Sequence, residues 1–276
     1  MPTCFVHRKL FASISVTGRR CWAKCPHCSG RYLELMIDAS EGLEKTVAKL
    51  VAKGVKGVLV SGGFRESMEL PIERFVSDLA KCRVLLKAVS IHLGLHRVPS
   101  FIQLVSRYVD VIDFEFVASR KDCVALRGLE PRNYLEILEL LVDLGVEVVP
   151  HVFLWTPWRT LSDLLSELSI IESLGIRRAT LLVLMGFGEP PKTVCDWLSR
   201  AATHFSGELY LGCMRPSSVR KWLDLFALRE GLVERIATPH PKAMDYCDAL
   251  YDACCSLPLN LLSYFEAKAY FSWGQS

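Results

Sequence analysis

Cys21, Cys25 and Cys28 stand at C-x3-C-x2-C spacing in the segment Arg19-Arg20-Cys21-Trp22-Ala23-Lys24-Cys25-Pro26-His27-Cys28. Three thiolates so spaced can converge on one face of a loop, and thiolates are the usual ligands of iron–sulfur clusters. No fourth cysteine stands nearby. One iron of a [4Fe–4S] cluster would therefore keep an open position, as catalysis at a metal requires. A zinc knuckle built from Cys25, Cys28 and His27 is one alternative, and three unligated core thiols are another. A structural zinc usually shows a second ligand pair at knuckle spacing, and none is obvious nearby.

The chain has eleven cysteines, an odd number that argues against a pure disulfide framework. Cys82 and Cys123 read as small buried hydrophobes. Cys213, Cys247, Cys254 and Cys255 fall in the last quarter. Cys213, with the adjacent pair Cys254 and Cys255, could ligate an auxiliary iron–sulfur cluster. Adjacent cysteines rarely ligate one metal together, because their side chains diverge, so buried thiols are the competing reading.

The elements that must position these groups follow a repeated pattern. An amphipathic stretch ends at a glycine, and a β-branched run follows. Segments 43–53, 134–144, 161–174 and 222–230 end at Gly54, Gly145, Gly175 and Gly231. Glycine fits the left-handed position just past a helix. Leu43, Val47, Leu50 and Val51 have the spacing of one buried helix face. Strands are expected near 12–17, 56–61, 86–92, 109–115, 146–153, 178–184, 207–212 and 233–237. Their nearly continuous apolar runs suit a sheet covered on both faces. Alternating β and α segments argue for an α/β fold with parallel strands. Eight repeats favour a closed (βα)8 TIM-type barrel over an open doubly wound sheet. Residues 1–276 read as one domain, with a tail from about 247 packing over one barrel end.

In such barrels chemistry sits at the C-terminal ends of the strands. The cysteine triad lies just past the first strand. Ser61, Gly62 and Gly63 end the second. Asp113 and Glu115 share one face of the fourth strand, since alternate residues point the same way. Acids against helices would be costly to bury, so the lumen is favoured, unless one of them pairs with a nearby Arg or Lys. His151 on the fifth strand either faces the lumen or is a satisfied core histidine. Residues 181–185 on the sixth strand are apolar and either wall an adenine or pack the barrel.

On these residues the chain resembles the radical S-adenosylmethionine superfamily. The resemblance implies a radical SAM barrel, a [4Fe–4S] cluster on Cys21, Cys25 and Cys28, and S-adenosyl-L-methionine at its open iron. It places His27 near the adenine. Ser61, Gly62 and Gly63 would meet the methionine amino group through their backbone, and Asp113 and Glu115 the ribose. Phe64 stands where the family often has a glutamate after the glycines. Segments 13–36, 61–63 and 212–216 and the Cys254–Cys255 pair further resemble proteins related to biotin synthase. That subgroup includes one half of the archaeal-type two-protein lipoyl synthase. The finer likeness implies sulfur insertion into a protein-bound octanoyl chain. It also implies an octanoylated lipoyl carrier protein, a second radical SAM subunit and an electron donor such as ferredoxin. Another radical SAM enzyme of cofactor biosynthesis, or a non-catalytic cluster-carrying subunit, fits the same motifs.

The net charge of +3 is too weak to argue for nucleic acid or a membrane surface. Arg19, Arg20 and Lys24 could still face an anionic ligand. The N-terminus lacks the pattern of a signal peptide, and no apolar run is long enough to span a bilayer. A cytoplasmic protein is expected.

Overall fold

The computed structural model describes residues 2–188 and 190–267. Eleven strands form one sheet: β1 (Thr3–Val6), β2 (Phe11–Ser15), β3 (Ile37–Asp38), β4 (Gly57–Ser61), β5 (Ala88–Ile91), β6 (Val111–Glu115), β7 (Val148–Trp155), β8 (Arg178–Val183), β9 (Glu208–Leu211), β10 (Arg235–Ala237) and β11 (Ala249–Asp252). Eight α-helices lie between them: α1 (Leu43–Val51), α2 (Val76–Leu85), α3 (Pro99–Ser106), α4 (Arg120–Arg127), α5 (Pro131–Asp143), α6 (Leu161–Ser173), α7 (Pro191–His204) and α8 (Ser217–Arg229). Every ladder between these strands is parallel, in the order β11-β1-β10-β9-β8-β7-β6-β5-β4-β2-β3.

The expected closed eight-stranded barrel is thus corrected to an open, curled sheet. The cause lies at the first strand. Residues 3–15 break at 7–10 into two halves with different neighbours. The lower half, β1, pairs with β10 and β11, while the upper half, β2, pairs with β4 and β3. Asp252, at the end of β11, holds the break. Its carboxylate accepts the amides of Arg8, Lys9 and Leu10 at 2.8, 2.6 and 2.8 Å. The three strands absent from the sequence reading, β1, β3 and β11, are the flanking and edge pieces of this opening.

Side-chain alternation divides the interior in two. Ile14, Val58, Val60, Val89, Ile91, Ile112 and Leu181 face the helices and join their buried stripes in the outer core. Phe5, Phe11, Ala88, Val111 and Val149 face the lumen, where Ala253, Cys255, Leu257, Leu262 and Phe265 of the tail pack on them. The tail carries β11 and a 3-10 turn at Leu259–Phe265, and forms the apolar floor of the lumen. Arg235 secures it by donating to the carbonyls of Cys255 and Leu257 at 2.7 and 2.6 Å. The last part of the tail, 268–276, lies outside the described residues.

Cys82 and Cys123 are buried among apolar side chains, as their dispersal suggests. Cys247 is not available to a cluster. It forms a disulfide with Cys4 of β1, at a Cα–Cα distance of 5.7 Å. Among the described residues, no helix is long and apolar enough to cross a membrane.

Candidate active site at the carboxyl ends of the strands

The triad loop leaves β2 through Val16, Thr17 and Gly18. A tight turn orients the second and third cysteines, with the Cys25 carbonyl accepting the amides of Cys28 and Ser29 at 3.0 and 2.8 Å. Lys24, Ser29 and Gly30 take positive φ angles of 44°, 47° and 84° to make it. Gly30 sits between the outer cysteines. Its amide donates to the Cys28 sulfur at 3.1 Å, and a Cβ on it would lie 3.8 Å from the Cys21 Cβ.

The end of β4 locks onto this loop. The Gly63 amide donates to Thr17 Oγ1 at 2.7 Å, and the Trp22 amide donates to the Phe64 carbonyl at 2.8 Å. A Cβ on Gly63 would stand 1.9 Å from the Arg20 carbonyl oxygen and 2.5 Å from the Cys21 Cα. Gly63 is therefore glycine because the cysteine loop needs the space. Its amide donates to Thr17, and a ligand's amino group here would have to donate to oxygen acceptors at this strand end. Ser61 is buried, and its hydroxyl is 3.2 Å from His92 Nδ1.

Asp113 and Glu115 share the lumen face, and the register sets His151 beside Glu115 and Thr180 beside His151. The two acids have separate surroundings. Glu115 pairs with Arg127 at 2.9 Å, the alternative outcome foreseen for one acid. Arg127 also lies beside the Cys25 thiol and 5.3 Å from the Phe64 ring centre. Burial raises the Cys25 pKa, and the guanidinium opposes that shift. Arg127 thus joins β6, the β4 end and the triad. No signal in the sequence marks it, because its place depends on how α4 packs. His27 is buried near Arg127, and burial with this charge lowers its pKa to about 4. It is a neutral, planar group, with its ring centre 6.3 Å from that of Tyr32.

Asp113 lies deeper. His151 Nε2 is 3.7 Å from it, the Cys254 sulfur 4.0 Å, and Ser90 and Ser256 also lie beside it. Its Oδ1 and the Thr180 hydroxyl are buried without a hydrogen-bond partner. Burial pushes Asp113 up to about 7, while burial and then the neighbouring His92 push His151 down to about 3. Between about pH 4 and 7 the folded state holds a proton on Asp113 that the unfolded chain releases. This group's contribution to stability therefore falls as pH rises through that window. The histidine shifts slope the other way, so Asp113→Asn isolates the effect. Urea unfolding should show wild type losing a few kcal/mol relative to Asp113→Asn between about pH 5 and 8. Parallel pH profiles would contradict the burial of this acid.

Of the proposed auxiliary set, Cys255 is packed into the apolar floor, Cys254 faces Asp113 and Ser256, and Cys213 lies close enough to Cys254 for the two thiols to interact electrostatically. Among the described residues, no three His, Cys, Asp or Glu side chains surround one point as a single metal ion would need. A four-iron cluster sets a different requirement, since each thiolate binds its own iron. Cys21, Cys25 and Cys28 meet it: three thiols on one short loop, a backbone amide aimed at one sulfur, and a guanidinium beside another.

The curled parallel sheet, with a thiol loop at its carboxyl edge, is a fold shared with solved structures at low sequence identity. SuiB of Streptococcus suis bound to S-adenosylmethionine matches at TM-score 0.56 and 12% identity, over 75% of this chain and 50% of that one. Methylornithine synthase PylB matches at 0.59 and 12%, over 86% and 72%. HydG, a maturase of the [FeFe]-hydrogenase, matches at 0.60 and 11%, over 86% and 57%. The chain thus spans about half the length of SuiB. No protein-family model matches the sequence, and no curated protein matches it.

Proposed function

We propose that this chain is a radical S-adenosylmethionine enzyme whose cluster is held by Cys21, Cys25 and Cys28 and whose substrate enters the polar lumen over Asp113. The observation that carries this reading is the interlock of Gly63 with Cys21. Two motifs some forty residues apart meet backbone to backbone where the fold presents its ligands.

A four-iron cluster held by Cys21, Cys25 and Cys28 would supply one-electron reducing power to S-adenosylmethionine bound beside it. The chain's own residues prepare the site for that. The Gly30 amide and Arg127 offset negative charge on the sulfurs of Cys28 and Cys25. Neutral His27 offers a flat apolar wall to a base. The floor of Phe5, Phe11 and Val149 under the tail closes the lumen from below, which keeps a reactive radical from water. Asp113, His151, Thr180 and Ser90 then meet the substrate.

That lining favours a substrate with hydrogen-bonding groups. An octanoyl chain would lie against a carboxyl, an imidazole and two hydroxyls. The lipoyl synthase reading, with its octanoylated carrier and second subunit, gains no support from these features.

Anaerobic reconstitution with iron and sulfide tests the proposal. About four irons and four sulfides per chain are expected. About eight irons would revive the auxiliary cluster and sulfur insertion. One zinc without sulfide would end the radical reading.

A further inference from the structure

Four polar side chains form one band across the lumen wall. They are Ser90 on β5, Asp113 on β6, His151 on β7 and Thr180 on β8, one from each of four neighbouring strands. Adjacent strands lie about 4.8 Å apart, so the band is roughly 14 Å long. Three of its members hold a buried atom without a hydrogen-bond partner: the Ser90 hydroxyl, Asp113 Oδ1 and the Thr180 hydroxyl. Buried polar atoms are nearly always satisfied, so three in one band mark a place where a ligand supplies the missing partners. His151 keeps 14% of its side chain exposed, so the band is reached from solvent at that strand. The floor beneath it is apolar.

The charges around the band decide which ligand fits. Glu115 is neutralised by Arg127. Asp113 has no such cation. Arg178, the arginine that acts on it, is paired with Glu147, and Arg235 donates to the carbonyls of Cys255 and Leu257. Ser90, Ser256 and the Cys254 thiol beside Asp113 are uncharged, and burial keeps His151 and the adjoining His92 neutral. A buried carboxylate without a cation is costly, and burial accordingly pushes Asp113 up to about 7. A carboxylate or phosphate ligand would meet no free cation here, and an alkyl end would leave all three atoms unsatisfied. An ammonium brings three N–H donors and one positive charge, which suits an unpaired carboxylate flanked by a hydroxyl. We infer that this band binds a primary amine of the substrate, with its nitrogen seated against Asp113 and Ser90. The inference rests on the reading of the lumen as the substrate chamber. Binding is non-covalent, and the rest of the molecule runs past His151 toward the cysteine loop.

The test uses the reconstituted protein and three probes of similar length, n-pentylamine, 1-pentanol and pentanoate, with binding measured by calorimetry. The amine should bind about tenfold or more tightly than the alcohol, and pentanoate should not bind detectably. A buried pair is screened far less than a surface one, so this preference should change by less than about twofold between about 50 and 300 mM salt. Asp113→Asn should weaken amine binding about tenfold or more and leave alcohol binding unchanged. Thr180→Val and Ser90→Ala should each weaken the amine severalfold. Glu139→Gln, which removes an exposed acid on α5, should match wild type. No detectable amine binding, equal binding of amine and alcohol, or a preference that survives in Asp113→Asn would overturn the proposal. Formation of 5′-deoxyadenosine with dithionite needs no amine. Its absence in wild type would strike the radical reading instead, while the probe binding still decides the amine site.

Discussion

Gly63→Ala is expected to strip the protein of most of its iron while leaving the fold standing. The added methyl group would sit 1.9 Å from the Arg20 carbonyl oxygen and 2.5 Å from the Cys21 Cα. Both are backbone atoms, so no rotamer change can clear them. The loop must retreat by roughly 1 Å, and overpacking of this kind typically costs about 1–3 kcal/mol. The retreat moves Cys21 relative to Cys25 and Cys28, which are held by their own turn. Iron per chain after reconstitution should fall below about half the wild-type value, because ligand geometry tolerates little displacement. Gly54→Ala is the control. It meets nothing within 4 Å but has φ +95°, so it should cost about 1 kcal/mol and leave iron unchanged. Equal iron loading in Gly63→Ala and wild type would refute the interlock.

The second large effect lies in the support beneath the site. Arg159 is fully buried between Asp122 at 2.8 Å and Glu167 at 2.5 Å. Glu167 also accepts the amides of Ala118 and Ser119 at 2.7 and 3.1 Å, and Asp122 accepts the Thr156 hydroxyl at 2.5 Å. This network fixes the start of α4, whose far end carries Arg127. Arg159→Ala would leave two buried carboxylates without their cation. Removing one member of a buried ion pair costs about 3–5 kcal/mol, and for a chain of this size that lowers the melting temperature by roughly 10 °C. Burial already raises both acids above their ordinary range, and the loss of Arg159 raises them further. They then bind protons more readily folded than unfolded, so the defect should shrink as pH falls from 7 toward 5. A loss below about 1 kcal/mol at pH 7 would show that the network is not a clamp.

These two sites differ in how visible they were in the sequence. The C-x3-C-x2-C spacing, the glycine pair and the alternation of Asp113 and Glu115 are local patterns, and the structure sets all three at the lumen mouth or wall. The central strands were legible because each is a sustained apolar run. The break at residues 7–10 was not, since its cause is Asp252, about 240 positions away. β3 has two residues and β11 four, too few for a periodic signal. Arg127 and Arg159 carry no motif. Each acquires its role only when α4 and the β7–α6 loop pack against the sheet. The Cys4–Cys247 pair was hidden likewise, because its closure depends on β1 and β11 being neighbours.

The difference between Asp113 and Glu115 also needed the fold. Spacing puts both on one face, yet only the position of Arg127 decides that Glu115 is neutralised and Asp113 is not. A substrate group donating to Asp113 and Thr180 would satisfy two atoms that the protein leaves unpaired.

The most direct test of the central claim is anaerobic incubation of the reconstituted protein with S-adenosylmethionine and dithionite, read by mass spectrometry for 5′-deoxyadenosine. Wild type should form it, and Cys21→Ala should form none. Persistence of the product in Cys21→Ala, or its absence from wild type loaded with about four irons, would contradict the account.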